Sequence, residues 1–203
     1  MSDGIYAALS GAIASERSLD VVANNVANVG TTGFRGERLA FHEVVSQAAQ
    51  QGPTPTTLRY TEIEESRVDL SEGPLRETGN PLDLAIEGGG YFQLQRSDGT
   101  IGYTRDGNFS RTAEGTLVNS DGLPLIPQIQ VPDGTTSLTI GNDGTVSATI
   151  SGQSAPTNLG QIELANFANA SGLQSVGGNV LIETAASGAP QVGIAGLDGR
   201  GTI

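Results

Sequence analysis

The chain has 203 residues, of which 36% are hydrophobic, 22 are acidic and 10 are basic, giving a formal net charge of −12. This length suits one compact domain of about 100–150 residues with a smaller appendage, and the acidity disfavours a surface that follows nucleic-acid or lipid phosphates. All basic residues are arginine and cysteine is absent, which excludes lysine Schiff bases, disulfides and thiolate metal sites.

The first predicted element is a helix over residues 3–28. Apolar or small residues recur every seven positions at Ile5, Ala12, Leu19 and Val26, with a second row at Ala8, Ser15, Val22 and Val29. Such a repeat is typical of a coiled-coil seam. Because one helix has no core of its own, we expect it to need a partner helix.

Residues 31–85 are interpreted as an extended connector. Residues 37–50 have a pattern that could continue or restart a helix, and the prolines and glycine of "QGPTPTTLRY" would then end it. From about residue 58 to 84 the pattern is extended but irregular.

Residues 86–190 are predicted to form a compact β module, with the all-β pattern beginning after Gly88. Asp-Gly or Glu-Gly pairs occur at 98–99, 106–107, 114–115, 121–122, 133–134 and 143–144, between short strand-like runs. We expect type I′ hairpin turns at these pairs, because glycine accepts positive φ and aspartate tolerates it. The alternation with Thr, Gln and Ser predicts sheets with one wet face, arranged as a barrel or sandwich.

The sequence offers little chemistry. The Asp-Gly loops lack the ligand spacing of calcium repeats, and His42, the only histidine, is remote from any strained serine turn. Glu64 and Glu65 are adjacent and would not face each other across a cleft. "EGGGYF" precedes a strand rather than a helix, which is unlike a phosphate-binding loop. We therefore predict no enzyme, and no catalytic, cofactor or metal site.

"ANNVANVGTTGFRGERLAF" resembles the N-terminal signature of the bacterial flagellar rod and hook protein family, a helix ending in an Asn-rich motif followed by T-x-GF and a basic residue. The block from "TGNPLDLAI" to "NSDGLPL" resembles the β module of that family, and the resemblance covers nearly the whole chain. Within the family the chain is similar both to the distal rod protein and to the smaller rod protein next to it.

The resemblance implies a structural subunit of the basal-body rod. In this family the N-terminal helix packs with a C-terminal helix of the same chain, and the layers assemble helically into a periplasmic drive shaft that transmits torque. The residues expected at this assembly interface are Ile5, Leu9, Ala12, Leu19, Val22, Asn24, Asn25, Val26, Asn28, Thr32, Gly33, Phe34 and Arg35.

The three asparagines are poor helix formers, because their amides compete for backbone hydrogen bonds. Two interpretations are open: they cap and fray the helix end, or they hydrogen-bond across a crowded interface and fix its register. We prefer the interface, because one asparagine suffices for a cap. Gly33 and Phe34 would be a turn and an apolar plug at the root of the connector.

The implied partners are copies of the chain, other rod and hook proteins, and the flagellar type III export apparatus, with ring proteins as further candidates. The expected location is the flagellar basal body in the periplasm. We find no apolar run long enough for membrane insertion and no secretory signal pattern, so export without signal cleavage is expected.

Residues 191–203 are expected to be a return segment. Family members continue beyond "GLDGRGTI" into a C-terminal helix that is absent here, so we expect either a truncated form, which we prefer, or a natural variant that borrows its partner helix. The alternative function is a secreted acidic β adhesin or carbohydrate-binding module with a helical stalk. It is weakened by the lack of tryptophan and the 4% aromatic content.

Overall fold

The structure of the protein, a computed structural model, describes residues 2–47, 57–68, 73–153 and 155–203. The fold is mainly β with one long N-terminal helix, as predicted. The chain divides into two compact units. Unit 1 consists of Met1–Thr31 and Arg35–Leu70, and unit 2 consists of Thr32–Phe34 and Ser71–Ile203.

Unit 1 contains a helix and a β-hairpin. The helix α1 spans Ser2–Ala27, which confirms the predicted helix over 3–28. The strands β1 (Glu37–Gln47) and β2 (Thr57–Val68) pair antiparallel in a register that runs from Glu37 opposite Val68 to Gln47 opposite Thr57. The helix packs against this hairpin, mainly against β2.

The helix that the pattern of residues 37–50 would allow is not formed by residues 37–47, which are the strand β1. Val44 and Val45 are β-branched residues that fit a pleated strand, and they pair with Tyr60 and Arg59 of β2. The second strand supplies the backbone partners that the local helical pattern could not reveal. The break predicted in "QGPTPTTLRY" falls mostly in residues 48–56, which lie outside the described residues.

Unit 2 holds twelve described strands and one 3-10 turn at Ala170–Gly172. The strands are β3 (Tyr91–Gln95), β4 (Ile101–Thr104), β5 (Phe109–Arg111), β6 (Leu117–Asn119), β7 (Leu125–Ile126), β8 (Thr135–Ile140), β9 (Thr145–Ile150), β10 (Thr157–Gln161), β11 (Glu163–Asn166), β12 (Gln174–Ser175), β13 (Val180–Ile182) and β14 (Gln191–Ile194).

These strands form three antiparallel sheets. The largest has the order β12-β13-β4-β3-β11-β14, with β7 also paired to β3. A second sheet has the order β10-β9-β8, and β5 and β6 form a hairpin. Because β14 lies in the largest sheet, this sheet continues past residue 190.

The chain then returns along the glycine run before β3. Glu87 and Thr202 exchange backbone hydrogen bonds, and the amide of Gly201 donates to the carbonyl oxygen of Gly89 at 2.6 Å. A Cβ on Gly88, which has a φ of 101°, would lie 3.1 Å from the Cα of Gly201. The triple glycine therefore serves a close backbone approach rather than a ligand.

The core of unit 2 lies on both faces of β3. On one face, side chains from all three sheets form one apolar cluster that includes Phe92, Leu94, Phe109, Leu117, Val146, Ile162 and Leu164. On the other face, Tyr91, Tyr103 and Phe167 pack edge to face, with Phe167 centred 4.8 Å from Tyr103 and 6.0 Å from Tyr91. The expectation of one wet face is wrong for β3, because residues 167–173 cover its second face.

The Asp-Gly turns have a different geometry from the one expected. Four of them share the same two backbone hydrogen bonds. The glycine amide donates to the carbonyl oxygen three residues before it, and the amide of that earlier residue donates to the carbonyl oxygen of the residue after the glycine. These turns are Arg96–Thr100, Thr112–Thr116, Asn119–Leu123 and Gly141–Thr145. Only the glycine of each turn has positive φ, so these are type I turns with a terminal left-handed glycine, not type I′. The pair 106–107 is not such a turn, since Gly107 is pressed against Leu84.

The four equivalent turns allow a matched test of glycine. Gly115 and Gly122 have φ of 88° and 78°, but an added Cβ would overlap the carbonyl oxygen of Val131 at Gly115 and would meet nothing within 4 Å at Gly122. We expect Gly122→Ala to cost about 1–2 kcal/mol from backbone strain alone. Gly115→Ala should cost at least about 1 kcal/mol more because of overpacking. Urea unfolding of both variants measures this, and equal losses would contradict the packing argument.

Candidate assembly surface

The predicted seam forms an exposed apolar stripe along α1. We use the name stripe for Ile5, Leu9, Ala12, Leu19, Val22 and Val26, all of which are exposed. The large members are between 52% (Val22) and 69% (Leu19) exposed. Ile13, which the sequence analysis did not include, is also 52% exposed and extends the stripe. Leucine and isoleucine at this exposure along one helix face indicate a surface that packs against another molecule or segment.

The opposite face of α1 is made of small residues and packs within unit 1. Ala14 is 6% exposed, and Ser10, Gly11, Ser18 and Val21 are half-buried. At about 100° per residue, the centre of this row lies roughly a third to half a turn from most of the stripe, and Val22 lies at the border between the two faces. The hairpin packs on this face, where Asn25 bonds Glu37 of β1, and the larger apolar residues remain uncovered.

The three asparagines make different contacts. The side-chain amide of Asn25 donates to the carbonyl oxygen of Glu37 at 2.9 Å, and its oxygen accepts from the Glu37 amide at 3.0 Å. Asn28 donates from its side chain to the carbonyl oxygen of Asn24 at 2.9 Å, while its own carbonyl accepts from the Thr31 amide at 2.9 Å. The Asn24 side chain is exposed. Asn28 thus closes the helix end, and Asn25 joins it to β1.

Residues Thr32–Phe34 belong to unit 2 and rest on the end of β4. Gly33 has a φ of 68°, and a Cβ there would lie 2.6 Å from the carbonyl carbon of Arg105 and would overlap the amide of Asp106. The side-chain amide of Asn179 donates to the carbonyl oxygen of Thr32 at 3.1 Å. Glycine is therefore required twice at position 33, once for its φ and once for its close contact.

Asp106 is a carboxylate buried beneath this turn. It is 7% exposed, and its Oδ1 accepts from the amide of Asn108 at 3.1 Å. Burial raises the pKa of Asp106, and the nearby carboxylates of Asp121 and Asp83 raise this pKa further, against the lowering effect of the Asn108 hydrogen bond. Sequence reasoning missed this residue and Asn179, because their contacts with residues 32–33 join positions 73 or more apart.

Phe34 and Arg35 are half-buried, unlike the exposed residues of the stripe. The stripe residues share one face of α1, and Asn25 faces the hairpin. Thr32 and Gly33 lie against β4 and the turn before β13. The sequence indicated that residues 32–35 differ from the stripe, because the seven-residue repeat ends just before Gly30.

The described residues offer little for other chemistry. Among them, no group of three or more His, Asp or Glu side chains is placed to hold a metal ion. A shallow depression is lined by Glu183, Thr184, Ala185, Gly188 and Ala189, and the Thr184 hydroxyl already donates to the carbonyl oxygen of Gly172 at 2.6 Å. Within the same part of the chain, no helix combines the length and hydropathy needed to cross a bilayer.

Replacing Gly33 tests the docking of the turn. Gly33→Ala should destabilise unit 2 by about 2 kcal/mol or more, because left-handed strain adds to the steric overlap with Asp106. Gly30→Ala is the control, since a Cβ there meets nothing within 4 Å. Urea unfolding measures the loss, and NMR should show a shifted Asn179 side-chain amide only in Gly33→Ala. A Gly33→Ala variant as stable as Gly30→Ala would contradict the close contact.

Replacing Asp106 tests the buried charge. A raised pKa means that the ionised carboxylate destabilises the folded unit at neutral pH, and that this penalty disappears as the pH falls through the folded pKa. Asp106→Asn keeps the oxygen that accepts from Asn108, so we expect a higher melting temperature at pH 7. The gain should shrink as the pH falls towards 4.

Asp98→Asn is the control, because the pKa of Asp98 is shifted in the opposite direction from that of Asp106. The hydroxyl and amide of Thr100 donate to Asp98 and lower its pKa, so its ionised form stabilises the fold above its usual pKa. The melting temperature of Asp98→Asn at pH 7 should therefore not rise. If Asp106→Asn melted lower than the parent at pH 7, the buried-charge interpretation would fail.

Comparison with known proteins identifies the family. Residues 5–35 match the family model described as "Flagella basal body rod protein", and residues 85–148 match "Flagellar hook protein FlgE/F/G D1 domain". The first range holds the stripe and the Asn-rich signature, and the second runs from shortly before β3 into β9.

Individual relatives agree with these models. The chain is 38% identical to flagellar basal-body rod protein FlgG of Buchnera aphidicola (Schizaphis graminum), across 100% of this chain and 82% of the relative. It is 38% identical to FlgG of Agrobacterium fabrum across 92% of this chain and 76% of the relative. A FlgF rod protein of Mesorhizobium japonicum is 38% identical across 62% of this chain and 50% of the relative. The chain therefore belongs to the flagellar basal-body rod protein family.

Proposed function

We propose that this protein is a structural subunit of the flagellar basal-body rod and that it assembles helically into the periplasmic shaft that transmits torque. The stripe carries this proposal, because it gives a mainly β protein a long apolar helix face that its own hairpin leaves exposed. Family membership supports the rod, since the relatives above are named as basal-body rod proteins.

The stripe can supply a large part of the free energy of association. Fully burying one Leu, Ile or Val side chain contributes about 1.5–3 kcal/mol, and the stripe holds five such residues: Ile5, Leu9, Leu19, Val22 and Val26. Because these side chains are 52–69% exposed in the free subunit, covering them would contribute somewhat more than half of that sum. This gain reaches the lower part of the estimated cost of about 4–15 kcal/mol for immobilising two molecules against each other, so contacts elsewhere must add to the interface.

The proposed partners are copies of this chain and other rod and hook proteins. Relatives named FlgG align over the full chain, whereas the FlgF relative aligns over 62% of it, which favours a FlgG-like position in the rod. Ring proteins and the type III export apparatus are further proposed partners, and the proposed compartment is the periplasm. This part of the proposal rests on family membership alone.

We further propose that the protein has no enzymatic role. Its family is structural, and the buried polar side chains of unit 2, such as Asp106, Asn119 and Ser187, are used in internal hydrogen bonds. The adhesin alternative gains no support from the comparisons, since the relatives described above are rod proteins.

Replacing Leu19 by aspartate tests the stripe. In an assembled rod this change would bury an unpaired charge and should weaken association by about 3 kcal/mol or more. In the free subunit Leu19 is 69% exposed, so little stability should be lost. We expect non-motile cells with few or no rods in isolated basal bodies, and an unchanged melting temperature of the purified chain.

Arg17→Asp is the matched control. It introduces the same carboxylate at an exposed position, two residues earlier and about 200° around the helix. Motility should be largely retained. Normal rods with Leu19→Asp would overturn the role of the stripe. A lower melting temperature with Leu19→Asp would show that the stripe packs within its own subunit.

A further inference from the structure

The Asn25 side chain imitates the backbone of a paired strand. Its amide donates to the carbonyl oxygen of Glu37 and its oxygen accepts from the Glu37 amide, at 2.9 and 3.0 Å. These are the two hydrogen bonds that one residue of an antiparallel strand exchanges with its opposite residue. Glu37 is the first residue of β1. A helix side chain thus completes the pairing at the point where the hairpin begins.

We propose that Asn25 is a positioning residue that sets the register between α1 and β1. We call the two hydrogen bonds between the Asn25 side chain and the Glu37 backbone the clamp. The clamp holds the hairpin on the small-residue face of the helix and keeps the stripe uncovered for assembly. In this role Asn25 acts inside one subunit, through the backbone of Glu37, rather than across an interface. The consequence for assembly rests on the proposed function, whereas the clamp itself does not.

The surroundings of Asn25 fit this role. Asn25 is half-buried on the same helix face as Ala14 and Val21, which packs within unit 1. Gly36, the residue before Glu37, lies beside the Asn25 side chain. A Cβ on Gly36 would be 3.2 Å from Oδ1 of Asn25, so a glycine at this position leaves room for the Asn25 amide. Asn24 has the same chemistry one position earlier, but its side chain is exposed.

The clamp needs one donor and one acceptor on the same side chain, which gives it a pH signature in one variant. In Asn25→Asp the ionised carboxylate can still accept from the Glu37 amide, but its second oxygen faces the Glu37 carbonyl oxygen and repels it. Protonation of the carboxyl group restores a donor at that position. The variant should therefore lose the clamp at neutral pH and regain it in acid.

The experiment uses the full chain as a monomer and measures amide hydrogen exchange at pH 7 and pH 4, expressed as protection factors so that intrinsic rates cancel. At pH 7 the Glu37 amide should be protected about tenfold less in Asn25→Asp than in the parent, because repulsion between the carboxylate and the Glu37 carbonyl oxygen moves the two groups apart and weakens the bond to the amide as well. At pH 4 its protection should recover. Helix circular dichroism follows α1 in parallel.

Asn24→Asp is the matched control, because it adds the same charge to the same helix end. The neighbouring charged residues Arg35, Glu37 and Arg38 are present in both variants. The control should show parental Glu37 protection at both pH values. Equal loss of Glu37 protection in the two variants would overturn the clamp. So would a failure of Glu37 protection to recover in Asn25→Asp at pH 4, also if circular dichroism shows that α1 has unfolded. Because these readouts need no rod, they separate the clamp from the proposed rod function.

Discussion

The structure depends on one helix, α1, that has two different packing faces: a face of small residues and the stripe of larger apolar residues. The β1-β2 hairpin packs on the face of α1 that holds Ala14 and other small residues. The hairpin then covers one face only. The larger residues, such as Leu19 and Val26, remain exposed, and this costs the free subunit the stability that their burial would contribute.

The sequence predicted those elements whose pattern is local. The seven-residue repeat through Ile5 and Leu19 was sufficient to place α1 and the exposed row, and four of the Asp-Gly and Glu-Gly pairs marked hairpin turns of unit 2. The strand β1 was missed because "ERLAFHEVV" satisfies a helical pattern as well as a strand pattern. Only pairing with β2 decides between them, and pairing is not visible in a short window.

The Asn-rich signature illustrates a second limit of sequence reasoning. Its residue types indicated an unusual helix end, and the turn predicted at Gly33 is present. Their contacts could not be deduced, because the partner of Asn25 is 12 residues away and the partner of Thr32 is 147 residues away. Asparagine at position 25 and glycine at position 33 are each explained by one close backbone approach. These contacts lie within separate units, Glu37 in unit 1 and Asp106 in unit 2.

The two units differ in how they gain stability, and this difference fits a protein that assembles. Unit 2 has its own core on both faces of β3, with Phe92, Leu94 and Leu164 fully buried, so its fold needs no partner. In unit 1 the stripe is buried only when a partner covers it. Any partner that binds the folded form stabilises it in proportion to its concentration relative to its dissociation constant. Assembly through the stripe, as proposed above, would therefore stabilise α1 more than the β unit.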